Sequence, residues 1–183
     1  MIDRLIENIQ KEINLTMEET EQLFDKIFKG EIYTDSLVDL LDALDKKGET
    51  PEELAGATTS MRKNAKLIDV NHDQIVDCCG TGGLGKKIIN ISTSVSFVLA
   101  AAGLKVAKHG NRTATGNSGS ADFLEAAGIN LKKSSENFSN SLDKIGLGFL
   151  FAQNHHPGMK YVMDARKILG KKTIFNLLGP LSN

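Results

Sequence analysis

Two glycine- and hydroxyl-rich segments each follow a short apolar run, and this pairing constrains the fold more than any other feature. The first, Gly80-Thr81-Gly82-Gly83-Leu84-Gly85-Lys86-Lys87, directly follows Gln74-Ile75-Val76-Asp77-Cys78-Cys79, which reads as a short buried strand. The second, residues 108–120, follows a strand predicted at 104–107. Around them the pattern predicts helices at 92–102, near 120–127 and near 136–144, an extended piece at 129–132 and a strand at 148–152. Such alternation builds βαβ units and a parallel sheet. Loops at the C-terminal ends of parallel strands form the ligand crevice, so both segments fall on one rim.

The residue types on that rim suit anions. Glycines let main-chain N–H groups close in on a phosphate and form a nest. The spacing is neither the Walker pattern nor the dinucleotide fingerprint. Asn90-Ile91-Ser92-Thr93-Ser94 opens the next helix, where hydroxyls either cap the helix or, with its first amides, face a phosphate. The second segment brings three residues that can carry positive charge, Lys108, His109 and Arg112. Two phosphate-friendly loops on one rim suggest a substrate with more than one phosphate, such as a pyrophosphate ester.

The first third reads as helices instead. Ile2, Leu5, Ile6, Ile9 and Ile13 recur at helical spacing. Thr16 with Glu19, and Thr50-Pro51-Glu52-Glu53, carry the capping-box pattern. Gly30 and Gly48 follow apolar stripes and act as stops. No catalytic constellation occurs here, so the stripes serve a core or a subunit interface. The expected architecture is α/β, cut short: a small all-α domain over 1–70, then over 71–183 the first part of a larger domain with a mostly parallel sheet.

Composition excludes several classes. The 22 basic residues nearly balance the 23 acidic ones, leaving a formal charge of −1 and no basic field for nucleic acid. No apolar run approaches the ~18 residues of a membrane span. Charges at Asp3, Arg4 and Glu7 oppose a signal peptide, and the adjacent Cys78 and Cys79 are poorly placed for a disulfide. A reduced, cytoplasmic protein is expected. His155-His156 reads as a polar loop feature, Arg166 taken alone as a surface charge, and the cysteines as structural. The end, from Thr173 to Asn183, lacks a polar tail and reads as cut in mid-structure.

Together, G-T-G-G at 80–83, N-I-S-T at 90–93, K-H-G-N-R at 108–112, S-G-S-A-D at 118–122 and T-I-F-N-L-L-G-P-L at 173–181 resemble the anthranilate phosphoribosyltransferase family. The resemblance spans essentially the whole chain. It implies transfer of phosphoribose from 5-phosphoribosyl 1-diphosphate (PRPP) to anthranilate with Mg2+, in the fold shared with type II nucleoside phosphorylases. It implies Gly80, Gly82, Gly83, Asn90, Ser92, Thr93, Lys108, His109, Gly110, Asn111, Arg112 and Ser120 at the donor, with Lys108 and Ser92 serving catalysis and Ser92 the metal. Gly80, Asn111 and Arg166 would meet anthranilate. A homodimer through the helical domain and association with anthranilate synthase are implied as well; no membrane or nucleic acid is expected.

Three departures stand out. Position 84, usually Asp, is Leu84; position 88, usually Thr, is Ile88. The chain is about half the family's length, and the acidic pair that binds magnesium belongs to the other half. The 183-residue piece alone is therefore expected to be inactive. Rival readings are a catalytically silent relative that binds nucleic acid, favoured by Leu84 and Ile88, a pyrimidine nucleoside phosphorylase, opposed by Asn111 and Arg166, and a non-functional chain.

Overall fold

The computed structural model describes residues 2–81, 89–112 and 118–182. It comprises two compact units, residues 1–65 with 156–183, and residues 66–155.

The first unit is helical, and its opening follows the sequence closely. Helices α1 (Ile2–Gln10), α2 (Met17–Lys29), α3 (Thr34–Lys47) and α4 (Pro51–Lys63) form where periodicity places them. Thr16 and Thr50 both make full capping boxes, with Glu19 and Glu53. Glu53 is wholly buried: it accepts from the Leu15 amide at 3.0 Å and pairs with Lys47 at 2.7 Å. Leu23, Phe24, Leu37, Leu40 and Leu41 fill the core, and Phe24 packs 5.7 Å from the Phe175 ring. Helices α2 and α4 cross closely at Gly56, where a Cβ would lie 2.2 Å from the Met17 carbonyl oxygen.

Residues 156–182 join this unit rather than the sheet. A 3₁₀ turn (Pro157–Tyr161) packs on α2, and α9 (Met163–Leu169) packs on α3. Helix α10 (Ile174–Leu181) packs on α3 and α4. The physical reason is apolar: Val162, Ala165, Ile174, Phe175 and Leu178 belong to the helical core. The first packing unit thus draws on two stretches of sequence, 1–65 and 156–183.

The second unit holds α5 (Ile91–Ala101), β1 (Val106–Gly110), α6 (Ser120–Ala126), α7 (Ser134–Ile145), β2 (Leu147–Phe151) and α8 (Ala152–His155). Strands β1 and β2 pair in parallel, from Val106 opposite Leu147 to Gly110 opposite Phe151. The expected parallel sheet is therefore present. Three local expectations change. The strand expected at 74–79 makes a single parallel bridge, Val76 to Val106. The extended piece at 129–132 gives way to a 3₁₀ turn (Leu131–Lys133), begun by the Asn130 side chain accepting from the Lys132 amide. The second strand ends at Gly110, not at 107, because its ladder with β2 continues.

Candidate functional site

The end of β1 and the starts of α5 and α6 come together, and short polar side chains lace them. Asn90 Nδ2 donates to Ser118 Oγ at 3.1 Å and to the Gly119 carbonyl at 3.3 Å. Thr93, buried in the first turn of α5, donates its hydroxyl to Ser120 Oγ at 3.0 Å. The Asn111 carbonyl accepts from the Ala121 amide at 3.2 Å. Gly110 permits this closeness: a Cβ there would stand 2.8 Å from Ser120 Cβ and 2.9 Å from the Phe149 ring. Ser92, half-buried, opens α5, whose first amides have no intrahelical acceptor.

Lys108 and His109 lie inside β1 rather than in the loop after it, and both are buried. The Lys108 ammonium donates to the His109 carbonyl. His109 Nδ1 stands 3.8 Å from Cys79 Sγ. Asp77 faces its own segment and β1: its Oδ1 accepts from the Cys78 amide at 2.7 Å and the His109 amide at 3.3 Å. Burial pushes the Asp77 carboxyl above its ordinary range, against the Lys108 charge and the main-chain donors. Burial also pushes both thiols up, away from thiolate chemistry. Cys78 donates to the Ser92 carbonyl at 3.0 Å, a structural role as expected.

Other expected site residues stand apart. Arg112 turns onto α6, bonding Glu125 at 2.6 Å and Asp122 at 3.3 Å, over the Phe151 ring. The bond to Glu125 holds the guanidinium above its usual pKa. Gly80 is exposed, with nothing within 4 Å of an added Cβ. Gly82 and Gly83, with Leu84, Lys86, Lys87 and Ile88, lie outside the described residues. Arg166 belongs to the helical unit, on α9. It is part-buried, not a free surface charge: one nitrogen reaches Asn176 Oδ1 at 3.3 Å, and burial lowers its pKa.

The histidine pair is not a polar loop. His155 is buried; its Nδ1 lies 3.1 Å from the Lys66 carbonyl and its Nε2 3.2 Å from Ser135 Oγ. Asp77 is the residue that sequence reasoning passed over. Its signal was a carboxylate closing an apolar run just before a glycine-rich turn. Among the described residues no group of three or more His, Cys, Asp or Glu is placed to hold a metal, and no helix is long and apolar enough to cross a membrane.

Residues 1–65 match a family described as the glycosyl transferase family, helical bundle domain, and residues 72–183 its a/b domain. The chain is 46% identical over 182 residues to anthranilate phosphoribosyltransferase of Pseudoalteromonas translucida (strain TAC 125), covering 100% of this chain and 51% of that protein. The crystal structure of anthranilate phosphoribosyltransferase from Thermus thermophilus superposes with a TM-score of 0.91 at 40% identity, over 97% of this chain and 54% of that one. The Saccharomyces cerevisiae enzyme in complex with PRPP and Mg superposes at 0.83 with 30% identity, over 92% and 50%. The chain thus spans about half the length of these relatives.

Proposed function

Because the chain belongs to the glycosyl transferase family, carrying its helical bundle domain and then its a/b domain, we propose that the natural-length protein is an anthranilate phosphoribosyltransferase. It moves the phosphoribosyl group from PRPP to anthranilate, giving N-(5-phosphoribosyl)anthranilate and diphosphate. The observation that carries this reading is the laced rim: Asn90 and Thr93 bonded to Ser118–Ser120, beside the buried Lys108.

Asn90, Ser92, Thr93, Lys108, His109, Gly110, Asn111, Arg112 and Ser120, with the glycines at 80, 82 and 83, bind the donor. The C1–O bond to diphosphate breaks, the C1–N bond to the anthranilate amine forms, and the amine proton passes to solvent. Positive charge develops on the ribose and negative charge on the leaving group. Lys108 exchanges the His109 carbonyl for a phosphate oxygen, and the first amides of α5 and their dipole meet the same charge. No side-chain nucleophile is required, because anthranilate attacks. Gly80 and Asn111 orient it, and the family resemblance gives Arg166 the carboxylate of anthranilate as its partner.

The residues present suit magnesium arriving with the diphosphate: the neutral, half-buried Ser92 hydroxyl at the start of α5 would be the oxygen that this chain offers it. When bound, it neutralises leaving-group charge. A homodimer through the helices, association with anthranilate synthase and a cytoplasmic setting complete the proposal.

The test is anthranilate fluorescence with the natural-length protein, PRPP and Mg2+. Loss of signal that needs all three supports transfer and makes Leu84 and Ile88 tolerated. No loss from a folded protein sinks the reading and favours a silent relative.

A further inference from the structure

The segment leading into the glycine-rich turn follows β1 for one rung and then leaves it. At that rung the Val76 amide donates to the Lys105 carbonyl and the Ala107 amide to the Val76 carbonyl, each at 2.9 Å. Continued in parallel register, the ladder would next place Cys78 opposite Lys108. The Cys78 amide would then reach the Ala107 carbonyl, and the His109 amide the Cys78 carbonyl. One atom takes both donors instead: Asp77 Oδ1 accepts from Cys78 at 2.7 Å and from His109 at 3.3 Å.

Packing does not favour a carboxylate here. A half-buried charge at a strand edge is costly, and a β-branched residue would extend the ladder. Lys108, 2% exposed, is the charge that faces it. The consequence is geometric: past Val76, residues 77–81 make no further bridge to β1, and the turn begins with Cys79 Sγ 3.8 Å from His109 Nδ1.

We propose that Asp77 is a positioning residue that ends the ladder by capturing both amides of its missing rung, and so holds open the crevice that receives the diphosphate. This rests on the donor reading above and adds the element that shapes the site. Asp77 acts through the main chain of Cys78 and His109, not by touching the donor.

The experiment uses the natural-length protein and its Asp77→Ala and Asp77→Asn variants. Calorimetry measures binding of inorganic pyrophosphate with Mg2+, and backbone amide NMR follows Cys78 and His109. Asparagine keeps an oxygen acceptor in the same place; alanine has none. Loss of two hydrogen bonds should weaken pyrophosphate binding about tenfold or more in the alanine variant, while asparagine stays within about threefold. The two amide resonances should shift in the alanine variant and persist in the asparagine one. Equal affinity in the alanine variant overturns the proposal, and so does an asparagine variant as impaired as alanine. If the unaltered protein binds no pyrophosphate, the donor reading fails. The amides then decide the ladder alone: unshifted Cys78 and His109 signals in the alanine variant overturn it. Should that variant not fold, the asparagine arm decides.

Discussion

The two units use opposite materials. The helical unit places its large apolar side chains inward: Leu5, Leu23, Phe24, Leu37 and Leu40 are at most 1% exposed. The α/β unit has a small buried cluster, Ala121, Leu124, Leu131 and Phe151. Its helix α5 leaves Ile91, Val95 and Val98 exposed at helical spacing. Beside Val106, Phe138 and Leu142, the buried residues of this unit include the polar Thr93, Ser96, Lys108 and His109. One unit is organised by burial, the other by hydrogen bonds around a place for charge. Stability should therefore be concentrated in the first and ligand response in the second.

The sharpest way to break that contrast is in the helical core. Phe24→Ala should cost ~3–5 kcal/mol, read from chemical denaturation. A cost like that of a surface change would mean the core does not hold the unit. Glu53→Ala strands the buried Lys47 and takes away the carboxylate that accepts from the Thr50 amide in the α4 capping box, so a loss of about 3–5 kcal/mol is expected by the same measurement. Gly56→Ala drives a methyl group into the Met17 carbonyl and should cost ~1–3 kcal/mol or more.

In the α/β unit the sign moves to binding. Lys108→Ala should weaken donor affinity by ~1.5–3 kcal/mol and leave anthranilate affinity much less changed. Isothermal titration with each substrate separates the two, and unchanged donor affinity rejects the role. Val98→Glu, at a position 67% exposed, should change the stability of the 183-residue chain by less than ~0.5 kcal/mol. A larger loss would show that α5 packs its outer face.

The smallest expected effect is a pH dependence at Asp25. Burial opposes its charge, but bonds from Ser60, Lys63 and Asn64 outweigh burial and lower its pKa. A depressed carboxylate contributes stability above its unfolded value of 3.8, and that contribution is lost as pH falls through the lower folded value. Asp25→Asn should therefore flatten acid unfolding below about pH 4. An identical acid limb would remove Asp25 from the account.

Legibility differed between the units for the same reason. Capping boxes and apolar stripes are local, so both ends of α2 and the start of α4 were readable to within a residue. The α5 start and the polar residues around it were equally legible as motif types. Pairing is not local. Whether Lys108 lay in a strand or a loop depended on Leu147–Phe151, some forty residues on. The shortness of the first strand depended on one side chain competing with main-chain acceptors.

By itself the sequence determined the helical beginning, the parallel α/β sequel and the polar residues that start α5 and α6. Spacing and residue chemistry suffice for these. Only the tertiary structure decided that 156–182 completes the helical core, because apolar burial draws on residues far apart in the chain. It also decided that Arg112 answers to Glu125 and that Asp77 takes the Cys78 and His109 amides. Each of those outcomes is a competition among partners that meet only after folding.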